Sequence, residues 1–204
     1  ILRIWSGHWK YFGKRRKRSG SVIWPRLEVG YLPEEHDDRD FRAMSNTDNF
    51  VHLHVHTDYS MLDGAAKVGE LLDKAVELKM PALAITDHGN NFGAFDFWEQ
   101  ATKKGIKPII GIEAYLAPGS RFEKSKVQWA DGGDDDISKG SYTHLTMLST
   151  DNESMFNLFK LSSYAWLEGY YFQPRMDREL LSRYAKGIVA TSGCASGEVQ
   201  TRLR

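Results

Sequence analysis

From Phe50 onward, short apolar runs alternate with segments whose apolar residues recur at helical spacing, and this alternation limits the chain to few architectures. Strand candidates are Phe50 to His56, Pro81 to Thr86, Lys107 to Tyr115, Tyr142 to Leu148 and Gly187 to Thr191. The first helix candidate, Gly69 to Lys79, carries Leu71, Leu72, Ala75, Val76 and Leu78 on one face. A second spans Ala94 to Lys104 and is closed by Gly105, and the aromatic-rich Asn152 to Leu167 forms a third. The fourth, Asp177 to Lys186, opens with an aspartate suited to cap it. Strand–helix alternation predicts parallel strands joined by right-handed crossovers, as in a doubly wound sheet or an α/β barrel. Barrels gather their chemistry on one rim, from the ends of several strands. Here the strands carry His54 and His56, then His88, Glu113, His144 and Cys194, which favours the barrel. Five strand–helix units are too few to close one, so an incomplete barrel is expected.

Composition excludes other classes. Hydrophobic residues at 41% and charged residues at 26% are globular values. No apolar run reaches the roughly 18 to 20 residues of a membrane span, so no membrane association is expected. No signal peptide is legible at the start, and a single cysteine fits a reducing compartment, hence the cytoplasm. Residues 1–46 hold ten Lys/Arg against six Asp/Glu, and the remainder 17 against 21. The acidic part lacks the cation excess that grips nucleic acid without sequence preference. Two segments follow: an irregular basic and acidic extension, 1–46, and an organised region, 47–204. The change near Met44 makes that residue a candidate initiator, with the preceding residues upstream sequence. Residues 119–141 read as a long polar loop with an acidic tip at Asp131 to Asp136.

The chemistry lies in the strand ends. His54 and His56 alternate along one strand and can converge on one cation or on two adjacent ones. His52 shares their face but lies deeper, where a hydrogen-bonded core histidine is expected. Asp63 in Met61-Leu62-Asp63-Gly64 and His88 in Thr86-Asp87-His88-Gly89 extend the set. Glu113, His144 and Cys194 each have an ordinary structural role open to them: a buried salt bridge, a satisfied core imidazole and a small buried hydrophobe. Their joint placement at strand ends argues for a multinuclear metal site.

These residues also carry a resemblance. His54-Val55-His56-Thr57, Thr86-Asp87-His88-Gly89-Asn90, Gly111-Ile112-Glu113, Tyr142-Thr143-His144 and Gly193-Cys194 resemble the successive motifs of the polymerase and histidinol phosphatase (PHP) domain. Lys107 to Arg121 and Ser192 to Arg204 look like the PHP domain of bacterial replicative DNA polymerase III alpha subunits, of actinobacterial type. The resemblance implies an α/β fold, an incomplete (β/α)7 TIM-like barrel of the PHP type with about five of the seven units present. It implies a centre of three divalent ions, zinc or manganese, held by His54, His56, Asp63, His88, Glu113, His144 and Cys194. The family completes its ligands with a downstream Asp-x-His pair, and this chain ends at Arg204 before it. Asp58, Asp87 and His52 are candidate outer partners that aim the ligating rings. The implied activity is 3′–5′ proofreading exonuclease hydrolysis of terminal phosphodiesters by water activated at the ions. The implied context is DNA replication by a DNA-directed DNA polymerase, a nucleotidyltransferase with magnesium at its own polymerase site. Implied partners are the DNA primer 3′ end, the rest of the alpha subunit and replisome proteins such as the sliding clamp. A free-standing phosphatase acting on a small phosphate ester and a non-catalytic scaffold domain are the competing expectations.

Overall fold

The computed structural model describes residues 50–61, 63–128 and 139–203. The 1–46 extension, its boundary at residue 47, Met44 and the acidic tip at 131–136 lie outside them.

Two βα-type steps open the fold. Helix α1 (Val68–Glu77) buries Val68, Leu72 and Ala75, and strand β1 (Ala82–Ile85) is buried throughout. Helix α2 (Ala94–Lys103) buries Ala94, Phe97 and Ala101. Gly105 follows with φ of 74°, a left-handed turn that a side chain would oppose, and returns the chain into β2 (Lys107–Leu116). β1 runs parallel to the first half of β2, pairing Ala82 with Lys107 and Ile85 with Ile110.

The next connection departs from expectation. A short antiparallel pair, β3 (Val127–Gln128) and β4 (Lys139–Gly140), precedes β5 (Thr143–Ser149). β5 is antiparallel to β2, pairing Gly111 with Leu148 and Leu116 with Thr143. The all-parallel expectation is therefore wrong at this point. The physical reason is that a parallel partner needs a crossover, usually helical, whereas the described part of this connection carries only the small hairpin.

Helix α3 (Asn152–Glu168) begins at a capping box in which Asp151 accepts from Ser154 N. A two-strand element that sequence patterning missed follows, β6 (Tyr170–Tyr171) and β7 (Gln173–Met176). β7 lies parallel to the end of β2, opposite Tyr115 and Leu116. Helix α4 (Arg178–Tyr184), capped by Asp177, leads to β8 (Ile188–Thr191), which is antiparallel to β5. Helix α5 (Glu198–Arg202) ends the described chain. The sheet order is β6-β7-β2-β5-β8, with β1 also on β2. This is a mixed α/β fold whose sheet stays open among the described residues, with β8 at one end.

The core lies between the sheet and the helices α3 and α4. It joins Ile112, Ala114 and Met147 to Leu158, Leu161, Ala165, Met176 and Leu180. Each such large aliphatic side chain contributes about 1.5–3 kcal/mol by leaving water. A polar framework braces the β2–β3 loop. Arg175, fully buried, donates to the carbonyls of Gly169, Ser141, Arg121 and Glu123. Arg121 in turn donates to Asp177, Glu168 and Glu179. No helix among the described residues is long and apolar enough to cross a membrane.

The segment from Phe50 to His56 is not a regular strand. His52 O accepts from Ala84 N and Val55 O from Thr86 N, so one more residue separates the acceptors than the donors. The Thr86 hydroxyl fills the irregularity, accepting from Val55 N and donating to Val55 O. This bulge-like step breaks strict alternation between His52 and His54.

Candidate metal centre

Glu113 occupies the middle of β2, 1% exposed, in a stretch otherwise apolar. Its Oε2 lies 3.0 Å from His54 Nε2, 2.9 Å from His56 Nε2 and 3.2 Å from His88 Nδ1. Its Oε1 lies 3.0 Å from His144 Nδ1. Two further residues attach at the periphery: Asp63 Oδ2 is 3.1 Å from His88 Nε2, and Cys194 Sγ is 3.3 Å from His144 Nδ1. The structure thus gathers His54, His56, Asp63, His88, Glu113, His144 and Cys194 into one connected cluster.

Each arrives by a different local device. His88 follows β1 directly, and Gly89 N donates to Glu113 O, locking the β1 exit onto β2. His144 stands at the start of β5, and because β5 is reversed, its beginning reaches the same rim as the end of β1. Cys194 lies in the turn after β8, where it accepts from Ser196 N. The His54–His56 segment is clamped by the buried Asp87. That carboxylate accepts from Thr57 N at 2.6 Å, Thr57 Oγ1 at 2.8 Å and Ser60 Oγ at 2.7 Å. Ser60 Oγ lies 3.4 Å from His56 Nδ1 and accepts from His88 N. Asp87 therefore acts on the rings through Ser60 and the backbone, one group removed from direct contact.

Asp58 and His52 are not brought to the cluster. Asp58 is exposed at the start of a 3-10 turn, Asp58–Ser60. The expectation for His52 is wrong: it is exposed and sits edge-on to Phe50, 4.7 Å between ring centres. The bulge described above turns it away from the face that His54 uses.

Sequence reasoning missed Ser60, Thr57, Tyr115 and Tyr142. Tyr115 stacks beside His88 at 5.9 Å and meets His144 edge-on at 5.3 Å, while Tyr142 stacks on His144. Strand alternation from Glu113 could have found Tyr115, two residues on.

The protonation balance follows from burial and charge. Burial pushes the Glu113 carboxyl up, but contacts from His144, His54 and His56 outweigh it and hold the group far below the carboxylate range. Burial and the neighbouring His56 push His88 below its ordinary value. For His56, burial acts downward, but Glu113, Asp87 and Asp63 raise it overall. Stacking of His56 on His88 at 4.1 Å favours one neutral ring of the two. Burial, reinforced by Glu113, raises the Cys194 thiol despite the opposing Ser196 N–H.

The donor set fits divalent cations. Three imidazole nitrogens crowd a single carboxylate oxygen that offers about two lone-pair sites. His54 Nε2 and His88 Nδ1 are buried without an aligned hydrogen bond, although each is within contact distance of Glu113. Nitrogen and oxygen donors 2.9 to 3.2 Å apart are close enough to share one divalent cation. The donors form two overlapping groups, His54–His56–Glu113 and His88–Glu113–His144, which share Glu113.

The family model for the PHP domain matches residues 52–204. The chain belongs to the PHP domain family. It is 61% identical over 167 residues to the DNA polymerase III subunit alpha of Saccharopolyspora erythraea, covering 77% of this chain and 14% of that one. Identity to the same subunit of Mycobacterium tuberculosis is 58% over 160 residues, covering 76% and 14%. Identity to that of Thermus aquaticus is 49% over 152 residues, covering 74% and 12%. The PHP chain thus spans 14% or less of the length of these relatives.

Proposed function

We propose that this PHP domain is the 3′–5′ proofreading exonuclease of a DNA polymerase III alpha subunit, hydrolysing the terminal phosphodiester of a DNA primer 3′ end. The observation that carries the proposal is Glu113, a buried carboxylate shared by four imidazoles, with Asp63 and Cys194 attached through His88 and His144. That donor set suits metal-assisted hydrolysis better than hydride transfer or acyl transfer through a covalent enzyme intermediate, because it offers ligands for cations and no activated side-chain nucleophile. The Cys194 thiol, raised by burial, is a poor nucleophile as it stands.

His54, His56, Asp63, His88, Glu113, His144 and Cys194 would hold up to three divalent ions, zinc or manganese. When bound, such ions supply Lewis-acid activation of water and neutralise charge on the phosphoryl group. The protein's own residues do the rest. Asp87 and Ser60 hold the backbone that follows His54 and His56 and the backbone of His88, which limits where these imidazoles can reach. Tyr115 and Tyr142 flank His88 and His144 and restrict their rotation. A neutral His88 is already in its ligating form.

By extension from the relatives, the longer protein is a DNA-directed DNA polymerase acting in replication in the cytoplasm, with magnesium at a separate nucleotidyl-transfer site. Its partners are DNA, the remainder of the subunit and replisome proteins such as the sliding clamp. The test uses full-length protein stripped with a chelator and reloaded with manganese or zinc. The expected result is metal-restored release of nucleoside monophosphates from the 3′ end of 5′-labelled single-stranded DNA. Restored cleavage of a small phosphate monoester alone would overturn the exonuclease assignment in favour of a phosphatase.

A further inference from the structure

Phe92, Trp166 and Tyr170 come from three different segments yet form one continuous exposed stack. Phe92 and Trp166 lie 6.4 Å apart with planes 30° from parallel, and Trp166 and Tyr170 lie 5.6 Å apart at 18°. Their exposures are 63%, 42% and 51%. Scattered exposed aromatics need no explanation, but three that stack on one another form an apolar patch.

The stack is tied to the metal-ligand cluster by a single peptide. Gly89 follows His88; its N–H donates to Glu113 O at 2.9 Å, and its carbonyl accepts from Trp166 Nε1 at 3.0 Å. Ser162 Oγ adds a second hydrogen bond to the same carbonyl. Phe92 is fixed in the same loop, where its N–H donates to Asn90 Oδ1 and Asn90 Nδ2 donates to the carbonyls of Tyr59 and His88. Topology puts all three rings at the cluster's end of the sheet. Phe92 follows the exit of β1, and β5 runs away from the rim, so α3 returns Trp166 to it. Tyr170 precedes β7, which pairs with β2 near its end.

We propose that Phe92, Trp166 and Tyr170 form a base-stacking platform for single-stranded DNA, seating the nucleotides that adjoin the 3′ end to be cut. This rests on the exonuclease reading of the neighbouring cluster. Partly exposed rings whose planes lie within 30° of one another suit flat nucleobases at the open ends of the stack, and stacking is indifferent to base identity, as an enzyme removing any terminal nucleotide requires. The Gly89 peptide, which follows His88 and bonds to both Glu113 O and Trp166 Nε1, puts the platform on the loop that carries a member of the cluster.

The test measures binding without turnover. Full-length protein in EDTA is titrated with a single-stranded octamer carrying 2-aminopurine at its 3′ end, and with an abasic octamer of equal charge. The platform predicts quenching of the 2-aminopurine and tighter binding of the base-bearing strand. It predicts that Phe92→Ala with Tyr170→Ala weakens that strand about tenfold, leaving abasic binding and thermal unfolding unchanged. Trp166→Phe, which keeps a ring, should retain most of the quenching. Unaltered affinity and quenching in the double variant would overturn the proposal. So would a fall in melting temperature with DNA binding intact, which would assign the rings to contact with other polypeptide. Metal-restored hydrolysis in wild type without quenching sinks the platform alone; quenching without hydrolysis sinks the exonuclease reading alone.

Discussion

Glu113 Oε1 and His144 Nδ1 meet at 3.0 Å although their strands run in opposite directions. The reversal of β5 is what makes the contact possible, because it brings the start of that strand, rather than its end, to the rim. His144 then joins Cys194 to a carboxylate that three other imidazoles already approach. The cluster is therefore a product of tertiary register, with Glu113 opposite Thr146 and Tyr115 opposite His144.

His54 and His52 should separate cleanly in metal analysis. His54→Ala in the full-length protein is expected to lower bound zinc or manganese, since it removes a donor 3.0 Å from Glu113. His52→Ala should leave metal content unchanged and shift stability by no more than about 0.5 kcal/mol, as for other surface substitutions. Mass-spectrometric metal quantification on both variants checks this, and equal losses would refute the distinction.

Arg175 is expected to be a structural keystone. Its guanidinium satisfies four backbone carbonyls from inside the fold. Arg175→Met would keep the volume and the backbone bond to Gly169 O but remove the side-chain donors from the Ser141, Arg121 and Glu123 carbonyls, at about 1–3 kcal/mol for each left buried and unpaired. Urea unfolding should show a loss of at least about 3 kcal/mol. A variant as stable as the parent would mean that water or rearrangement replaces all four bonds.

Asp177 should make stability depend on acid. Burial alone would push its carboxyl up, but hydrogen bonds from Arg121 N and Leu180 N and the Arg121 charge lower it overall. A folded-state value below the unfolded one stabilises the protein above the unfolded pKa of about 3.9. That contribution is lost as pH falls through the folded value. Asp177→Asn, which keeps the helix cap, should cost about 2 kcal/mol at pH 7, the order of a hydrogen bond to a charged group. The difference between variant and parent should shrink below pH 4, as read from melting curves across pH. A constant difference down to strong acid would show that the charge is not what matters.

Much of the His/Glu cluster was legible because side chains able to ligate metal are uncommon at the ends of apolar runs, so His54, His56, His88 and Glu113 stand out against their neighbours. The direction of β5 was not legible from hydrophobic pattern, which reads the same either way along a strand. Connection chemistry did hold the information: the stretch between Tyr115 and Tyr142 has no helical period, and a parallel return would have wanted one. Arg175 was hidden for a different reason. A lone arginine beside Tyr170, Tyr171 and Phe172 looks like a surface residue, and only the folded loop supplies the carbonyls that bury it. His52 was misassigned because period-2 reasoning assumes an unbroken strand, and the Thr86 hydroxyl interrupts that one.

The central claim is that Glu113 organises a metal-dependent exonuclease distinct from nucleotide incorporation. The decisive measurement compares full-length wild type with Glu113→Ala, loaded with manganese or zinc, on a 5′-labelled primer–template bearing a 3′ mismatch. Primer shortening without nucleotides and primer extension with them are followed on the same preparations. Shortening is expected to fall at least about a hundredfold, because removing a direct ligand should cost no less than the upper end of the loss from removing an outer partner. Extension from a matched primer should persist. Undiminished shortening in Glu113→Ala, with folding and extension intact, would contradict it.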